Sequence, residues 1–109
     1  ILETFDEFSI NAQSDRKNIG IWINHKNENK KIGAIGIRVK KWIAYHGFSI
    51  NINNNLNYFN KIIPCGIKDK KIIALKQISN IKYSHFVEIL EKKLIKNLSV
   101  SNYSYSKNL

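Results

Sequence analysis

The chain of 109 residues has no methionine, a single cysteine and a single proline. The lone cysteine, Cys65, excludes intramolecular disulfides and four-cysteine zinc sites, and it fits a reducing compartment. No apolar run approaches the roughly 20 residues that a membrane-spanning helix needs. The opening residues, Ile1 to Phe8, are acidic and amphipathic, and lack the basic start and apolar stretch of a secretion signal. Without a methionine, Ile1 is expected to lie inside a helix that began earlier, in the C-terminal part of a longer protein. Acidic residues are also scarce. Eight Asp and Glu face eighteen Lys and Arg, leaving a formal charge of +10.

That surplus attracts acidic partners at long range: nucleic acid, an anionic membrane or an acidic protein. All but Arg16 and Arg38 of these cations are lysine, and isoleucine and asparagine are abundant too. An AT-rich genome accounts for the same bias without any binding role. Few arginines speak against base-edge or bidentate phosphate recognition. The 43% of hydrophobic residues suffices for a core, so wholesale disorder is excluded.

Ile1, Phe5 and Phe8 recur at helical spacing. Asn11 to Asn18 reads as a loop, Gly20 to Ile23 as a short strand, and Asn24 to Lys30 as a polar excursion. Ile35, Ile37 and Val39 alternate with Gly36, Arg38 and Lys40, the period of a half-buried strand. A second alternation runs through Phe48, Ile50 and Ile52, and Asn53 to Asn55 signal a turn. Leu56 to Asn60 suit a helical turn, Lys68 to Lys71 a charged loop, and Ile72 to Leu75 either a strand or a helix start. Phe86, Leu90, Leu94 and Leu98 share one helical stripe, with Ser84 as its N-cap. Residues 1–98 are expected to form part of one domain, and 99–109 a loose tail. The class is α+β, a mixed sheet flanked by helices.

Cys65 sits between Pro64, which fixes the backbone before it, and Gly66, which permits a sharp turn. Such a corner presents a thiol well, although a thiol of pKa about 8.5 still needs activation at neutral pH. Lys30 or Lys31 would favour the thiolate, and a dyad with His46 is the alternative. His25 and His85 read as surface residues, and no spacing suggests a metal site. Trp22 and Trp42 read as core or half-core residues rather than stacking platforms for single strands.

Three segments, in order, resemble the lipoyl(octanoyl) transferase family. Lys31 to Val39 is similar to its K-I-A-[AS]-[IL]-G-[VL]-[RH]-[VI] motif, and His46 to Ile52 to H-G-[FL]-A-[LI]-N-[VI]. Leu56 to Ile67 is similar to L-x-x-F-x-x-I-x-P-C-G-[IL], and Gly20 to Ile23 to the preceding G-V-W-V strand. Gly33 and Ser49 stand where the family has alanine, and Lys68 to Lys71 looks like an insertion. The family's R-G-G and H-G-P-G-Q motifs have no counterpart among these residues.

The resemblance implies the fold of the biotin and lipoate ligase catalytic domains, with the N-terminal half absent. It implies transfer of octanoyl from acyl carrier protein to a lysine of lipoyl domains, those of 2-oxoacid dehydrogenases and the glycine cleavage H protein. Cys65 would form the acyl thioester and Lys31 lower its pKa. Ala34, Ile35, Gly36, Gly47, Phe48 and Ser49 would line the substrate site, with His46 structural. A cytoplasmic monomer is implied, with no metal or cofactor and no nucleic acid or membrane partner. A non-catalytic basic module for RNA or acidic proteins, or an inactive remnant of the transferase, remains the alternative.

Overall fold

The structure, a computed structural model, describes residues 1–53 and 71–98, at 44–46 through the backbone alone. Helix α1 (Leu2–Glu7) leads to strands β1 (Ala12–Ser14), β2 (Ile21–His25), β3 (Glu28–Lys40) and β4 (Ile43–Ile50). A short strand β5 (Lys71–Ile72), a 3-10 turn (Leu75–Gln77) and helix α2 (Tyr83–Leu98) follow. Strands β1 to β4 pair antiparallel in chain order, and β5 adds to β3 in parallel, so the sheet is mixed. No described helix is long and apolar enough to cross a membrane.

The core lies between the two helices and one face of the sheet. Phe5 and Phe86 are fully buried, with ring centroids 5.4 Å apart. They join Ala12, Ile21, Ile23, Ile32, Ile73 and Leu75 in a single cluster. The helical spacing of Ile1, Phe5 and Phe8 is explained by this packing, since all three belong to the cluster or press against it. Along α2 the apolar stripe is buried at Phe86 and half-buried at Leu90 and Leu94, but Leu98 is exposed. Lys93 to Glu7 at 2.9 Å and Lys96 to Glu3 at 3.9 Å tie the helices together at their rim.

Several local expectations are corrected. The presumed loop Asn11 to Asn18 contains β1, where Ala12 alone turns into the core while Gln13 and Ser14 stay exposed. One small apolar residue leaves no alternation to detect. The polar excursion Asn24 to Lys30 is a tight hairpin: β2 runs to His25, β3 starts at Glu28, and the turn is Lys26-Asn27. Both turn residues have positive φ, 53° and 62°, as a two-residue turn matching strand twist requires. Ser84 lies inside the first turn of α2, which begins at Tyr83, so it is not the N-cap.

Ile72 to Leu75 divides between the two alternatives: Ile72 ends the two-residue parallel strand β5, and Leu75 opens the 3-10 turn. Between them the Ile73 amide donates to the Lys31 carbonyl at 3.0 Å. The 3-10 turn is anchored by the Ala74 amide donating to Gln77 Oε1 at 2.7 Å. Trp42 is not a core residue. It occupies the β3–β4 turn with Lys41, at φ 65°, and is 99% exposed. Ile37 and Val39 are largely exposed as well, because the distal half of the β3–β4 ribbon runs past the helices. The helical turn expected at Leu56 to Asn60, the Pro64-Cys65-Gly66 corner and the tail 99–109 lie outside the described residues, as do Lys68 to Lys70.

Candidate active site

Strand β3 carries most of the expected site residues, and one irregularity decides which face they occupy. Ile21 pairs with Gly33, yet the next residue, Trp22, pairs with Lys31, so Ile32 is an extra residue. This is a β-bulge. Ile21 faces the core, and so therefore does its partner Gly33; Trp22 faces away, and so does Lys31. Strict alternation would put Lys31 and Ala34, three residues apart, on opposite faces. The bulge puts them on the same one.

On that face the ribbon presents a floor of small residues. Ala34 stands opposite Ser49, and Gly36 opposite Gly47. A methyl group added at either glycine would meet nothing within 4 Å among the described residues, which leave this stretch of backbone bare. Gly47 has φ +148°, a conformation that side-chain-bearing residues rarely adopt. Ala34, Ile35, Gly36, Gly47, Phe48 and Ser49 all line one open recess of about 530 Å³, together with Ile37 and Arg38. Its size falls in the range of roughly 300–1,000 Å³ usual for small-ligand sites. Ile35, Ile37 and Phe48 alternate with the small residues and belong to the core-side face, so the lining draws on both faces of the outer ribbon.

The two candidate lysines differ in their surroundings. The Lys30 ammonium lies 4.0 Å from the Glu28 carboxylate. The Lys31 ammonium lies 5.9 Å from the centroid of the Trp22 ring, a cation–π distance. Lys31 is not among the residues lining the recess, but it projects from the same face three residues before Ala34. His25 is half-buried, and His85 is exposed with its ring edge-on to Phe8 at 5.2 Å. The His46 backbone pairs with Ile37. Cys65 lies outside the described residues.

Gly33 has a packing reason. A Cβ there would sit 3.0 Å from the Ser49 carbonyl and 3.4 Å from Ile21, so alanine would push β4 or β2 aside by a few tenths of an ångström. Sequence reasoning missed Gly20 and the bulge. The bulge leaves no signal in the sequence, because it lies in how β2 pairs with β3.

A lysine and a small-residue floor on one face of a mixed sheet, with both helices on the other, define an α+β domain with one open face. Residues 1–95 match the model of the lipoyl protein ligase A/B catalytic domain, and the chain belongs to that family. The fold is accordingly that of the biotin and lipoate ligase catalytic domains. Among curated proteins, it is 45% identical over 94 residues to the octanoyltransferase of Ehrlichia chaffeensis, covering 85% of this chain and 44% of that protein. Similarity to the octanoyltransferase of Rickettsia bellii is 41% over 98 residues, covering 88% and 47%. That of Zymomonas mobilis is 39% identical over 105 residues, covering 85% and 49%. The chain thus spans slightly under half the length of these relatives.

Proposed function

We propose that this chain supplies the nucleophile and the acyl floor of an octanoyltransferase. The observation that carries the reading is the gathering of all six expected substrate residues around one recess, with Lys31 on the same face of β3 as Ala34 and Gly36. The octanoyl donor is an acyl carrier protein thioester, and the acceptor is the lysine of a lipoyl domain, as in 2-oxoacid dehydrogenases or the glycine cleavage H protein. The positive charge of the chain suits such partners where they are acidic.

In the first half-reaction the Cys65 thiolate attacks the thioester carbonyl, and the carrier leaves as a thiolate that takes a proton from the Lys31 ammonium. One thioester replaces another, so the step is close to isoenergetic. In the second, the acceptor amine attacks the Cys65 thioester, an amide forms, and the thiolate is regenerated. The amine must lose a proton as the amide forms. Lys31, left neutral by the first step, accepts it in this scheme, which restores the ammonium beside the regenerated thiolate.

The test is the intact mass of the 109-residue chain after incubation with octanoyl-acyl carrier protein. A single octanoyl adduct is expected, absent in Cys65→Ser and at least tenfold slower to form in Lys31→Ala. An adduct that persists in Cys65→Ser would sink the thioester mechanism. If the chain forms none by itself, repeating the assay with the remaining half of a relative separates a pocket completed by that half from an inactive remnant.

One observation favours a second reading, a basic module for RNA. Trp42 is fully exposed at the end of a ribbon that also carries Arg38, Lys40 and Lys41. Stacking on Trp42 would give RNA affinity that falls linearly on a log–log plot against salt and weakens in Trp42→Ala. Affinity untouched by both salt and that substitution excludes this reading.

A further inference from the structure

We infer that Trp22 and Gly20 form a cradle that positions the Lys31 side chain, making them positioning residues for the site. This rests on the reading of Lys31 as the proton-handling partner of Cys65. Trp22 and Lys31 are cross-strand partners beside the bulge, so their side chains rise from the same face. The ammonium stands over the indole at 5.9 Å from the ring centroid. The ring is itself held: its N–H donates to the Asn18 carbonyl at 2.7 Å, and the residue is only 8% exposed.

Gly20 forms the other wall. Its backbone, at φ +149°, lies against the lysine stem, and an added Cβ would come within 2.6 Å of Lys31 Cε and 3.3 Å of Nζ. The same Cβ would stand 3.0 Å from the Gly33 carbonyl, so a side chain there would displace the lysine stem and also press on the backbone beside the bulge. A lysine has four rotatable bonds and, left to itself, samples many positions. Here the stem is confined by a glycine on one side, and the charge by an aromatic face on the other. That confinement preorganises a group that must meet the thiol and then the amine at short range.

The experiment has a spectroscopic and a chemical arm, both on the full chain. Lys31 side-chain methylene protons should show upfield ring-current shifts in the unmutated protein, keep most of them in Trp22→Phe, and lose them in Trp22→Leu. Ordinary shifts in the unmutated protein would overturn the cradle without recourse to any variant. Alkylation of Cys65, the only thiol, is then timed at pH 7. Trp22→Leu should slow it roughly five- to thirtyfold, Trp22→Phe much less, and Gly20→Ala by an amount comparable to Trp22→Leu.

In a Lys31→Ala background the Trp22 substitution should have no further effect, because both act through the same ammonium. If the two losses simply multiply, Trp22 is structural and the cradle is wrong. If Lys31→Ala slows alkylation and Trp22→Leu does not, the cradle alone fails. Alkylation unchanged by Lys31→Ala itself removes the role of the lysine, and the cradle with it.

Discussion

At the scale of single residues, the two facing glycines of the ribbon look alike and do different things. Gly47 is required by its backbone: at φ +148° any side chain is strained. Gly36 has no such constraint, and no described residue comes within 4 Å of a Cβ added there. Gly47→Ala should therefore destabilise the fold by about 1–3 kcal/mol whatever the recess binds. Gly36→Leu should leave the thermal midpoint within a few degrees of wild type while filling the recess, and octanoyl loading of Cys65 should fall at least tenfold. Thermal unfolding and intact mass on the same two variants check both halves. Loading that survives Gly36→Leu would place the acyl chain elsewhere. Both glycines are legible in the sequence as part of a motif, but their separate reasons are not, because φ is a property of the folded chain.

At the scale of elements, the join between α1 and α2 is held by the burial of Phe5 against Phe86 and trimmed by charge. A hydrogen bond from Asn97, with Lys96 nearby, holds the Glu3 carboxyl below its ordinary value of 4.5. A hydrogen bond to Glu7 raises Lys93 above its ordinary 10.5. A lowered carboxyl stabilises the fold above its unfolded value, and that contribution fades as pH falls through the folded one. A raised lysine stabilises below its unfolded value, and the contribution is lost as pH rises through the folded one. The difference in melting temperature between wild type and Glu7→Gln should accordingly be small but constant near neutrality and vanish on the alkaline side of 10.5. A difference that persists in strong alkali would show that Glu7 stabilises the helices by some other route. These pairs are exposed, so the packing of the two phenylalanines holds the helices together more strongly than the charges do.

For the whole molecule, the core-side face of the sheet is longer than the helices that cover it. Ile35 and Ile50 pack against the core, whereas Ile37 and Val39, further out along β3, are more than 60% exposed. Between Ala34 and Lys40, β3 pairs with β4 alone among the described strands. An exposed apolar strip whose edge no described strand covers invites self-association. Replacing both residues by threonine should reduce concentration-dependent association in sedimentation velocity and leave the melting temperature nearly unchanged. A large loss of stability would mean that the two side chains are buried after all.

Much of the architecture follows from the sequence alone, for a local reason. Ile1, Phe5 and Phe8, and likewise Phe86, Leu90 and Leu94, recur at a period that only a helix turns into one face, and the alternation around Ile35 and Phe48 allows only a strand. The three motif segments, in order, were likewise enough to indicate the family and to single out the residues that gather around the recess. The tertiary structure decided the rest. An extra residue at Ile32 resets the two-residue period, so whether Lys31 faces the core or shares the face of Ala34 and Gly36 depends on how β2 pairs with β3. Exposure of Trp42, Ile37 and Val39 depends on where the covering helices stop. Neither pairing nor coverage is a local property: each is set by a partner distant in the chain, and no window of sequence contains it.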